Sequence, residues 1–157
     1  MKQLLIVVVT ALAVCQKSGS SGGEDCFTKF CREASETDGV EFVHVDGVLL
    51  GMARAFMDRE GKALMKSLKV NSMDMLLVEK CEAQVRLAVM EQARALLDGD
   101  SYIKVPAGGG GNSFYLERGE GADTFTALVV LFDGDGRPGL YRLCGDIRPA
   151  ELEKIIL

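Results

Sequence analysis

The sequence predicts an α+β domain: a single, mainly antiparallel sheet of five to six strands with helices packed on one face. Two observations carry this reading. Helical and strand patterns alternate early in the chain, whereas four strand patterns follow one another late without a helix between them, the order of an antiparallel sheet and not of repeated βαβ units. The run Thr124 to Phe132 is apolar throughout and rich in β-branched and aromatic residues, as a central strand is. At 157 residues, 48% hydrophobic and 26% charged, the chain suits one domain with a real core.

Each element has its own signal. Glu24 to Glu36 places Phe27, Phe30, Cys31 and Ala34 on one helical face, and Asp38-Gly39 breaks it. Val40 to Val45 reads as a strand on which His44 shares a face with Phe42. Asp46 can cap the next helix, whose expected buried stripe is Val48, Leu49, Met52, Phe56 and Met57; Gly47 and Gly51 weaken it. Asp58 to Lys69 is charged and predicts only a short helical turn. Val70 to Glu79 holds a strand, clearest over Met75 to Val78.

Lys80 to Leu97 is the strongest helix, with Val85, Val89, Gln92 or Ala93, and Leu96 on its apolar face and Gly99 as a left-handed cap. Strands follow at Tyr102 to Val105, Phe114 to Glu117, Thr124 to Phe132 and Leu140 to Cys144, the last ending at Gly145. Asp133 to Gly139 joins the final pair as a turn. Pro149 opens a short last helix with Leu152, Ile155 and Ile156 on its apolar side.

The first residues read as an export signal. Lys2 precedes an apolar run from Leu4 to Val14, too short to cross a bilayer, which takes roughly 20 apolar residues. Residues 1–14 are therefore expected to be a signal peptide, residues 15–23 a Ser/Gly tether and residues 24–157 the folded domain. Ala11-Leu12-Ala13 offers an ordinary cleavage site. Leu12-Ala13-Val14-Cys15 is instead similar to a lipobox, which makes Cys15 the candidate for lipidation. The expected location is the periplasm or outer membrane, with a lipid anchor.

Cys26, Cys31, Cys81 and Cys144 remain, an even number in an oxidising compartment and so candidates for a disulfide of unspecified pairing. The alternative is that they are small buried hydrophobes. No C-x-x-C is present to support a thioredoxin-like or zinc motif.

The pattern resembles a known family. The Val40 to Val45 strand, Leu49-Leu50-Gly51-Met52, a Met/Leu-rich strand with an amphipathic helix after it, and Leu143 to Ile147 before a short Leu/Ile helix are similar to the bacterial domain of unknown function 4252. The resemblance implies an exported α+β protein, often a lipoprotein, with no agreed catalytic residues.

Chemistry is sparsely signalled. In the Asp133-Gly134-Asp135-Gly136 stretch, a calcium loop would require oxygen ligands where Arg137 and Cys144 stand. Gly108 to Gly111 lacks the Lys-Ser/Thr of a phosphate loop. Among the motifs sought, none identifies a catalytic residue, metal site or cofactor. A formal charge of −5 argues against nucleic acid and against an anionic lipid surface held by charge, leaving the membrane reachable only through an anchor. The favoured reading is a non-catalytic binding module of the cell envelope, with an unspecified protein or small-molecule partner and an exposed apolar patch to receive it. The alternatives are a small enzyme built from dispersed Asp and Glu with His44 and Cys144, or a thiol-based sensor.

Overall fold

The computed structural model describes residues 25–106, 111–121, 123–133 and 138–156, with the side chains of residues 154–156 left out. In chain order the elements are α1 (Cys26–Ala34), β1 (Glu41–Val45), α2 (Gly47–Arg54), α3 (Arg59–Ser67), β2 (Ser72–Leu77), α4 (Ala83–Leu97), β3 (Tyr102–Val105), β4 (Asn112–Arg118), β5 (Phe125–Phe132), β6 (Gly139–Ile147) and α5 (Pro149–Ile156). The six strands form one antiparallel sheet of order β1-β2-β6-β5-β4-β3. The α+β class, the single antiparallel sheet and its strand number are as the sequence predicts.

Local chemistry sets the helix starts. Asp25, Asp46 and Asp58 each sit in extended backbone and accept a hydrogen bond from the N–H three residues on, at 2.8, 2.9 and 2.7 Å. Each thereby satisfies a donor that the first turn leaves orphaned. Asp58 is why the charged stretch after it forms a full helix instead of a single turn. Gly39 has φ 84°, and a Cβ there would lie 2.7 Å from backbone atoms of Lys80 and Cys81, so the turn after α1 needs glycine. Gly99 does not take the expected left-handed conformation: α4 ends with Asp98 in the right-handed region, its N–H bonded to Arg94 O. Gly145 does not end β6 either. The strand runs on to Ile147, and a Cβ on Gly145 would meet Lys69 O at 2.6 Å.

The helices lie on both faces, which corrects the expectation of one covered face. On the first, α1 and α4 cover Leu76, Tyr115, Val129, Leu131 and Leu140. Here α4 carries the chain from β2 to the far edge strand β3. On the second, Leu50, Met65, Leu68 and Leu152, from α2, α3 and the residues about them and from α5, join Leu116, Leu128, Val130 and Leu143. The physical reason is β5: alternate residues of a strand face opposite ways, and Phe125–Phe132 is buried at five successive positions. An apolar strand on both faces needs two layers over it. Towards the Phe132 end, Phe114, Phe132 and Tyr141 stay half-buried, with Phe132 and Tyr141 in an edge-to-face contact at 5.0 Å.

Candidate functional site

Two features stand out from the packing: a charged cluster beneath α1 and an apolar surface on α2. The cluster follows from strand register. Arg142 on β6 stands opposite Asp74 on β2, and Asp74 stands opposite His44 on β1, so all three share the first face. Arg142 Nε donates to Asp74 Oδ2 at 3.0 Å, and His44 Nδ1 lies 2.5 Å from Asp74 Oδ1. An ionised carboxylate only accepts, so Nδ1 is the donor in that pair. The Arg142 Nη atoms donate to Asp25 at 3.0 and 3.2 Å and to Glu117 at 3.4 Å. The guanidinium also lies 4.5 Å from the Phe27 ring centroid.

Burial grades across this cluster. The side chains of Arg142 and Asp74 are 8% and 3% exposed, whereas His44 is 56% exposed. For Asp25, burial favours the neutral acid, but the Arg142 guanidinium and the Thr28 N–H outweigh it and hold the pKa below the usual carboxylate value. For Glu117, burial outweighs Arg142 and the pKa is raised. Burial opposes the Arg142 charge, yet Asp25 and Glu117 raise its pKa further. One cation therefore serves three carboxylates, and only Asp25 gains from it on balance among the two whose pKa moves.

The α2 surface overturns an expectation. Val48, Leu49, Met52 and Phe56 were expected to form the buried stripe of this helix, but all four are exposed, Phe56 at 93%. Leu50 alone of the helix is fully buried. The reason is the other half of the helix. Leu50 drops into the second core, and Arg54 Nη2 donates to Val70 O at 2.7 Å, which ties that side towards β2. Of the candidate stripe, Met57 alone packs against the core, partly buried. Positions 48, 52 and 56 recur at the helical repeat, so the exposed residues line one side of α2 and the turn after it.

The residues singled out from sequence fall unevenly. Cys15 lies outside the described residues, as do Gly108 to Gly110 and the turn residues 134–137. None of Cys26, Cys31, Cys81 and Cys144 is in a disulfide. Cys31 and Cys81 are buried, and Cys81 Sγ donates to Val78 O at 3.0 Å. Burial raises the pKa of both Cys31 and Cys144, which keeps their thiols protonated and poorly nucleophilic near neutrality. His44 and Cys144 share a sheet face, but β2 runs between their strands. Among the described residues no cluster of His, Cys, Asp and Glu could hold a metal, and no helix is long and apolar enough to cross a membrane. The sequence reading missed Asp25, Asp74, Glu117 and Arg142. Their signal was present in part: one Asp inside Ser72–Leu77 and one Arg inside Leu140–Leu143 break otherwise apolar strand patterns. Comparison with protein-family models, curated proteins and solved structures finds no match.

Proposed function

We propose that the chain is an exported, membrane-tethered binding module of the cell envelope, and that the outer side of α2 is its docking face. The observation that supports this reading is the exposure of Val48, Leu49, Met52 and Phe56 on one side of a helix. Scattered exposed apolar residues are ordinary, but a contiguous stripe of large ones is a mark of a surface built to be covered. The apolar run Leu4 to Val14, Cys15 and the Ser/Gly stretch after it support export and tethering, as does the resemblance to an exported family.

The test is protection in place. A thiol introduced as Phe56→Cys in the full chain is expected to resist a water-soluble maleimide in the intact envelope and to react freely in the purified protein. Leu87→Cys, on α4 and also exposed, is expected to react in both. Equal labelling of position 56 in the two settings overturns the docking face. Palmitate labelling that is unchanged by Cys15→Ala overturns the anchor.

One observation favours a second reading, a small hydrolase with His44 as base. Asp74 holds the imidazole through Nδ1 on a side chain that is 56% exposed, an arrangement that leaves the other ring nitrogen to serve as a base. The raised pKa of Cys144 and the strand between it and His44 deprive that base of its nearest thiol. Turnover of an activated ester by the full chain, abolished by His44→Gln, would establish it; no turnover ends it.

A further inference from the structure

The geometry points to an anionic lipid surface as what covers the α2 face: we propose that Val48, Leu49, Met52 and Phe56 enter the bilayer interface while the basic residues after them in the chain meet lipid phosphates. The inference rests on the docking reading above and names the partner.

Local charge is the first argument. The chain as a whole is acidic at −5, but residues 46 to 69 carry five basic side chains (Arg54, Arg59, Lys62, Lys66 and Lys69) against three acidic ones (Asp46, Asp58 and Glu60), a local +2. Arg59, Lys62, Lys66 and Lys69 are exposed, and of these Lys69 lies 3.7 Å from Asp146 Oδ2. Whole-chain charge argued against an anionic surface, but the field that matters at contact is the one within a Debye length, about 10 Å in ordinary salt. An exposed apolar stripe followed in the sequence by exposed basic residues has the composition of an interfacial segment.

Reach is the second argument. Ten residue steps separate Cys15 from Asp25. Fully extended they span at most about 35 Å. A chain held at its apolar leader or at Cys15 keeps its folded domain that close to the bilayer. At such a distance a weak interfacial contact is made repeatedly, because the tether supplies a high effective concentration. A second copy would set the same local +2 against itself, like charge on like charge.

Leu87 supplies the control. It is another large exposed apolar side chain, but it lies on α4, which packs on the first face of the sheet, whereas Leu50 seats α2 on the second. The chain contains no Trp, so Phe56→Trp and Leu87→Trp each give a single-site probe in the full chain. Both variants are mixed with vesicles of phosphatidylglycerol carrying bromine on their acyl chains, and they share every residue outside the probe positions. The indole of Phe56→Trp is expected to shift to the blue and to be quenched, and that of Leu87→Trp to do neither. Replacing Lys62 and Lys66 by Gln is expected to weaken the signal from position 56 by about fivefold per residue, and zwitterionic vesicles to give little of it.

Equal quenching at both positions, or none at position 56, overturns the proposal. So does equal quenching on zwitterionic and anionic bilayers. A blue shift of the Phe56→Trp variant that grows with protein concentration in the absence of vesicles assigns the face to a second copy instead. Protection of Phe56→Cys in the envelope without quenching on vesicles leaves the docking face standing and removes the lipid.

Discussion

Arg142 offers five N–H donors to Asp74, Asp25, Glu117 and the edge of Thr28, under a phenyl ring. Its removal leaves the carboxyl of Asp74, 3% exposed, without its buried cation. Arg142→Met is therefore expected to cost about 3–5 kcal/mol in urea unfolding. The double replacement Asp74→Leu with Arg142→Met is expected to cost less than the two single losses together by about 0.5–3 kcal/mol, because the second change removes a charge that the first left stranded. Additive losses would show that the pair acts through packing and not through charge.

Glu117 gives a pH signature. Its folded pKa is raised, so the folded state holds the proton more tightly than the unfolded chain does. The stability this group contributes is full below its unfolded value of 4.5 and is lost as pH rises through the folded value. The difference in Tm between the parent and Glu117→Gln is expected to move in the parent's favour as pH falls from 7 to 4.5. Asp25 acts the other way: its lowered pKa contributes stability above 3.8 that disappears on further acidification. A difference that stays flat between pH 7 and 4.5 would mean that Glu117 titrates alike folded and unfolded.

At the scale of the element, α2 divides its apolar residues by purpose. Leu50 is 1% exposed and packed in the second core, so Leu50→Ala is expected to cost about 2–5 kcal/mol. Met52→Gln and Phe56→Ser are expected to shift stability by no more than about 0.5 kcal/mol each, since neither side chain is buried. Chemical denaturation of the three variants decides whether the stripe serves the fold or the surface. The same helix shows where sequence reading fails. Spacing identifies a stripe, but not which side of the helix faces the sheet. Here α2 presents its wider apolar side to solvent and seats itself with one leucine and one arginine. In α1 and α4, by contrast, Phe27, Phe30, Val85, Val89 and Ala93 lie buried where periodicity puts them, and Leu87 is the large apolar residue of α4 that stays exposed.

Over the whole molecule, two cores share one sheet. Val129 and Leu131 belong to the first, Leu128 and Val130 to the second, and all four are neighbours on β5. Neither layer can leave without exposing the far side of that strand. Indole probes introduced at positions 56 and 87 are expected to report one coincident thermal transition; separate transitions would show that the layers melt independently. The class and the strand number were legible because long apolar runs and turn residues are local signals. The second layer was foreshadowed only by β5 being apolar on both faces. The charged cluster was less legible, because Asp25 and Arg142 meet across 117 positions of sequence and nothing local announces such a pairing.

Asp25 closes α1 and also grips Arg142. In the sequence it stands two residues after the Ser/Gly stretch. Tension on a chain moored by its leader would thus arrive first at this one carboxylate. From there it passes to the guanidinium of β6, an interior strand with β2 on one side and β5 on the other. A load entering there is spread as shear over two hydrogen-bonded ladders. An edge strand pulled at one end would be peeled bond by bond. A load entering through Asp25 would therefore be borne at the middle of the sheet.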